Sequence, residues 1–197
     1  NSVSMIASFP NWEADCHAAT YADSGIFVRN AWEKFGYTVN DTDLTAKNMR
    51  DEYGNLPFQM SGEHPGVADY NRIIPAYFQS LDQKMQHLSE QGFVPLLETI
   101  RRDMGPTWDA YFDFNETYAR YVQYLISRYG AWNFVFSGIH LDWIPKEYSL
   151  TADEFNEALT YHLQKYGPLP FGQPHTTLIN NSTYKQEHEQ NSDQNDN

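Results

Sequence analysis

Apolar residues recur along the chain in two alternating patterns. Three segments carry them at helical spacing. In "PAYFQSLDQKMQHLSEQG", Phe78, Leu81, Met85 and Leu88 share one face, Pro75 suits a first turn and Gly92 is a stop. "NETYARYVQYLISRYG" places Tyr118, Val122, Leu125 and Tyr129 in a stripe that ends at Gly130. "TADEFNEALTYHLQKYG" opens with Thr151 and Glu154 at capping-box spacing, carries Phe155, Leu159, His162 and Tyr166, and stops at Gly167. Each glycine leads into a strand-like run, "FVPLLETI", "NFVFSGIHL" or "QPHTTLIN", and "SVSMIASF" precedes the first helix. Strands are therefore expected near 3–9, 93–99, 133–141 and 175–180.

Strict alternation of strand and helix predicts parallel strands joined by right-handed crossovers, adjacent in chain order. The fold class is α/β: about four parallel strands with outer helices. Runs this apolar suit strands buried on both faces. Residues 13–72 interrupt the alternation with a stretch too long for an ordinary connection, and loops of that size are usually functional. From Lys185 the sequence becomes "KQEHEQNSDQNDN", with nothing to pack. The expected division is one domain over 1–184 and a polar tail or fragment edge over 185–197. The chain opens as if inside a strand, with no leader pattern, which predicts a part of a longer protein.

Charge narrows the class of partner. A formal net charge of −13 argues against nucleic acid or an anionic membrane, both of which call for a basic field. No apolar run is long enough to span a bilayer. The single cysteine, Cys16, excludes an internal disulfide framework. Tyrosine and tryptophan are abundant, and such residues line wet aromatic surfaces as well as cores.

Candidate chemistry collects at the strand ends, where parallel α/β folds gather side chains from several strands. The first strand ends in Asn11, Trp12 and Glu13, the second in Glu98, Arg101, Arg102 and Asp103, the third in His140, Asp142 and Trp143, and the fourth in Asn180 and Asn181. If Val135, Ile139 and Leu141 face the helices, period-two alternation gives Phe136, Gly138, His140 and Asp142 the opposite face. Asp142 then reads as an acid or base held by His140, or, in the structural reading, as a turn cap beside a buried histidine. Glu98 and the two arginines read either as a loop-holding ion pair or as groups that bind substrate hydroxyls or a carboxylate. Trp12, Trp108 and Trp143 follow strand ends, where flat rings can stack on sugar faces. Trp132 reads as packing.

The segments "DEYGNLPF", "PAYFQSLDQKMQHLSEQGFVPLL", "YARYVQYLISRYGAWNFVFSG" and "PFGQPHTTLIN", in that order, resemble the apiosidase-like catalytic domains of glycoside hydrolases over most of residues 3–184. That resemblance implies part of a (β/α)8 TIM barrel, strands two to five, and a complex plant or algal polysaccharide as substrate. The family often carries a Gly-Gly-Glu type ending on the strand that corresponds to residues 133–143; here the ending is "GIHLDW", so the acid role passes to Asp142.

A glycosidase needs two carboxyl groups flanking the scissile bond, roughly 5 to 5.5 Å apart for retention and about 6.5 to 9.5 Å for inversion. Asp142 is the first candidate; the resemblance places the second on a later strand, with Glu98 and Glu13 as fallbacks that lie closer to sugar-binding than to catalysis. Asn11, Trp12, Glu13, Arg101, Arg102, His140, Trp143 and Asn180 are the expected substrate-binding groups. A carbohydrate is the expected partner, with no cofactor, no nucleic acid and no membrane. Two alternatives stay open: a barrel that binds glycan without cleaving it, and a metal-dependent barrel hydrolase using His140 and Asp142, with His175 at the wrong end of its strand to complete the set. The sequons at Asn40, Asn115 and Asn180, with a polysaccharide substrate, point to a secreted or periplasmic protein. His140 and Asp142 are expected in one cleft, within reach of Glu98 or Arg101.

Overall fold

The computed structural model describes residues 1–8, 51, 53–63, 68–100, 108–109, 111–141 and 150–179, with backbone alone for 139–141 and 177–179. Its elements in chain order are β1 (Ser2–Ser8), β2 (Phe58–Met60), β3 (Ala68–Ile73), α1 (Pro75–Glu90), β4 (Val94–Ile100), α2 (Phe114–Tyr129), β5 (Val135–Leu141), α3 (Ala152–Tyr166) and β6 (His175–Ile179). The main sheet has the order β1-β4-β5-β6, and each neighbouring pair is parallel. The four expected strands are thus present, adjacent and in sequence order. This is the α/β arrangement of a TIM-barrel segment.

Local signals fix the helix ends. Proline opens α1, where its missing N–H would have no intrahelical partner and its φ is already helical. Gly92, at φ +73°, closes it: the Phe93 N–H bonds the Leu88 carbonyl and the Gly92 N–H bonds that of Ser89, a Schellman ending. Asp113 caps α2, its side chain accepting from the Glu116 N–H at 2.9 Å. Thr151 and Glu154 form a complete capping box at the start of α3.

The apolar stripes lie where the spacing put them. Phe78, Leu81 and Met85 of α1, Tyr118, Val122, Leu125 and Tyr129 of α2, and Phe155 of α3 are all buried in one core. Leu159 packs against that core, and Tyr166 is exposed. Because α2 buries tyrosines rather than leucines, each hydroxyl needs a partner. Tyr121 donates to the Thr99 carbonyl at 2.9 Å, Tyr129 to the Phe78 carbonyl at 3.2 Å, and Tyr118 shares a 2.6 Å bond with Thr99 Oγ1. Those bonds pin α2 to β4 and α1.

The stretch 13–72, read from the sequence as a long loop, gives way near its end to a second small sheet, β2 antiparallel to β3. This hairpin brings Phe58 and Tyr70 into the core. Tyr70 stacks on Trp108 with ring centroids 3.9 Å apart and planes 10° apart, and Phe58 meets Trp108 edge-on. Trp108 is fully buried, and its indole N–H donates to Thr117 Oγ1 at 2.6 Å. The reading of Trp108 as a sugar platform is therefore corrected: both its face and its polar edge are already occupied. No helix among the described residues is long and apolar enough to cross a membrane.

Candidate active site

The two faces of the sheet separate cleanly where side chains are described. Thr99 reaches Tyr118 of α2, and a Cβ on Gly138 would lie 2.2 Å from Leu159 Cδ1 of α3, so both positions face the helices. Leu97 is in register with Phe136, and Glu98 with Ser137. By alternation Glu98 and Ser137 lie on the other face, toward the interior that a barrel would enclose. This reverses the sequence reading, in which Val135 faced the helices while Phe136 and Gly138 looked into the cleft. Hydrophobicity cannot choose between faces when both are buried, and glycine has no side chain to vote. Past Ser137 the register shifts as well. Ser137 opposes Thr176 and His140 opposes Leu178, so three steps on β5 match two on β6 and simple alternation does not carry through to His140.

Glu98 is the nominated carboxylate whose surroundings are described. It is fully buried on β4, and a charged group so placed needs hydrogen-bond donors. Ser4 Oγ of β1 supplies one, donating to Glu98 Oε1. Ile6, not Ser4, is in direct register with Glu98; Ser4 pairs with Leu96. The carboxylate is therefore drawn toward the row nearer the N-terminal ends of the strands. Ser137, fully buried and in register on the opposite side, places a second hydroxyl-bearing residue beside it. Ser4 was not among the groups singled out in the sequence, because a serine early in a strand gives no signal until its neighbour is known.

His140 belongs to β5, but its side chain lies outside the described residues, as do Asn11, Trp12, Glu13, Arg101, Arg102, Asp142, Trp143 and Asn180 entirely. The expected meeting of His140 and Asp142 with Glu98 or Arg101 therefore falls outside them too. Among the described residues no group of three or more His, Cys, Asp or Glu side chains is arranged to hold a metal ion.

The cavities lined by described residues include two of note. One, of about 330 Å³, lies at the N-terminal ends of α2 and α3 and is lined by Asp109, Asp113, Glu154, Glu157, Phe114 and Leu150 among others. Partial desolvation, followed by the charges of Glu154 and Asp113, holds the Asp109 carboxyl above its usual value. Two of its acids already serve the helices as caps, where the N-terminal dipole favours negative charge. The other, of about 820 Å³, runs along β5, β6 and α3, lined by Phe136, Leu159, His162, Leu163 and Thr176 among others. It lies on the helix-side face of the sheet, the face away from Glu98.

Parallel strands in chain order, with helices on one face and a buried carboxylate on the other, define a segment of a barrel-type α/β domain. The family model described as apiosidase-like, catalytic domain, matches residues 10–193. The chain belongs to that family, which its sequence motifs resemble. It is also similar to the crystal structure, at 1.80 Å resolution, of a candidate glycoside hydrolase from Bacteroides vulgatus, with a TM-score of 0.54 and 17% identity. That likeness covers 90% of this chain and 29% of the other, so the chain spans less than a third of that protein's length. No curated protein matches the chain.

Proposed function

We propose that the chain forms part of the catalytic domain of a secreted or periplasmic glycoside hydrolase that cleaves a complex carbohydrate with a pair of carboxyl groups. The observation that carries this reading is the family match, which runs through nearly the whole chain. The buried Glu98 on the interior face of the sheet supports it, because a carboxylate is retained at a buried position only when its neighbours are arranged to keep it. In this proposal Asp142, just past the end of β5, protonates the leaving oxygen, and Glu98 is the second carboxyl group or a hydroxyl-binding group beneath the sugar. Arg101, Arg102, His140 and Asn180 supply further hydrogen bonds, and Trp12 and Trp143 the stacking surfaces. Trp108 has no part in it.

The family's name makes an apioside the first substrate to try. The full-length enzyme should release a reducing sugar from an aryl apioside or from a complex plant glycan, and Asp142→Asn should retain binding while losing turnover. Binding without any release by the parent would favour a glycan-binding domain instead. Unchanged turnover in Asp142→Asn would remove Asp142 from the mechanism.

A further inference from the structure

We propose that Ser4 is a positioning residue for the site, acting through Glu98. The inference rests on the reading of Glu98 as a working group and names what holds it. Three observations converge. Glu98 is fully buried, so its carboxylate is tied to the donors around it and has little freedom to turn. Ser4 Oγ donates to one of its oxygens. The donor stands one row off register, opposite Leu96, so this bond sets a direction as well as satisfying a charge. Drawn toward the N-terminal ends of the strands, the Glu98 carboxylate is held from the β1 side of the sheet. Ser4 itself lies on an exposed part of β1, where a small hydroxyl is not required for packing. Its use is therefore the bond.

A hydrogen bond to a charged group is among the stronger ones, and losing it removes one of the contacts that orient the carboxylate. Glycosidases need their carboxyl groups placed to within fractions of an ångström, so the consequence appears in turnover. The test uses Ser4→Ala together with the isosteric pair Ser4→Thr and Ser4→Val, which keeps β-branched shape while restoring or omitting the hydroxyl. The full-length enzyme is labelled with 13C at glutamate carboxyls, and the Glu98 resonance is assigned by its absence in Glu98→Gln. That resonance should move in Ser4→Ala and Ser4→Val and return in Ser4→Thr. On the apioside or glycan that the parent cleaves, Ser4→Ala and Ser4→Val should lose about tenfold in kcat/KM, while Ser4→Thr stays within about twofold of the parent. In the Glu98→Gln background, replacing Ser4 should change kcat/KM by less than about twofold, because the two residues act as one unit. Equal losses in both backgrounds, or an unmoved Glu98 resonance, would overturn the proposal. A fully active Glu98→Gln enzyme would instead overturn the role of Glu98 itself, and it is read from that variant alone.

Discussion

One methyl group on Gly138 would stand 2.2 Å from Leu159 Cδ1 and 3.1 Å from Leu159 Cγ, with α3 unable to back away from the sheet without lifting Phe155 and Ala158 out of the core. The Leu159 side chain must turn instead. Gly138→Ala is therefore expected to cost about 1 to 3 kcal/mol by urea unfolding, and Gly138→Ala with Leu159→Ala less than the sum of the two single changes. An additive pair would mean that the two do not touch. His162, on the same helix, is a second residue with a measurable signature. It is almost wholly buried, its ring bonds Gln123 Oε1 at 3.0 Å, and desolvation lowers its pKa from the ordinary value of 6.5. The unfolded chain therefore binds the proton more readily than the folded one. The neutral ring's contribution is complete above pH 6.5 and is lost as the pH falls through the lowered folded value, so stability should decline on acidification in that window. His162→Gln should show a shallower decline between pH 7 and about pH 5 than the parent, after subtracting the common carboxylate contribution. The histidine was legible in the sequence only as one member of the α3 stripe; its burial fixes the sign.

At the scale of elements, α2 and α3 are joined by more than apolar contact. Glu116 accepts from Lys165 Nζ at 2.5 Å and from Arg120 at 3.1 Å, and Tyr161 also donates to it. The hydrogen bond from Lys165 leads in lowering the Glu116 carboxyl to about 2. Exposed pairs of this kind are screened by salt and weigh little in stability. The ends of the helices matter more. Thr151→Ala removes the acceptor for the Glu154 N–H and the hydroxyl that bonds Glu154 Oε2 at 2.8 Å, so it should cost about 1 kcal/mol in urea unfolding, with Thr151→Ser near parental stability. The capping box, the proline start of α1 and the glycine ends are local signals, and they made the three helices and the strands between them readable. The β2–β3 hairpin had no such signal. Phe58–Met60 spans only three residues, and "ADYNRI" breaks alternation with polar residues in succession, so neither run announces a strand alone. What stabilises the hairpin is remote: Phe58 and Tyr70 close around Trp108, which comes from the connection after β4. Tertiary packing made the strands and also took Trp108 out of reach of any ligand.

Across the whole molecule, chemistry depends on which groups reach the interior face of the sheet, and this was the least readable property of the sequence. Strand existence followed from composition and spacing, but facing in β5 did not, because both faces are buried and the register shifts between Ser137 and His140. Glu98 was legible as a strand-end carboxylate; Ser4, more than ninety residues away in sequence, became its partner only through the parallel pairing of β1 with β4. The proposed acid, Asp142, is best tested through the chemistry that an acid alone supplies. A protonated carboxyl group assists most when the leaving oxygen is a poor leaving group, and least when it departs as a stabilised phenolate. Asp142→Asn should thus lose about a hundredfold or more in kcat/KM on a glycan, whose leaving group is an alkoxide, and much less on a nitrophenyl glycoside of the same sugar. Its pH profile carries the same information independently. A group that must be protonated gives activity that falls as the pH rises through its pKa, so the alkaline limb of the parent profile should vanish in Asp142→Asn while the acidic limb remains. Equal losses on both leaving groups, with the alkaline limb intact, would show that Asp142 holds the sugar or the loop and that another group donates the proton.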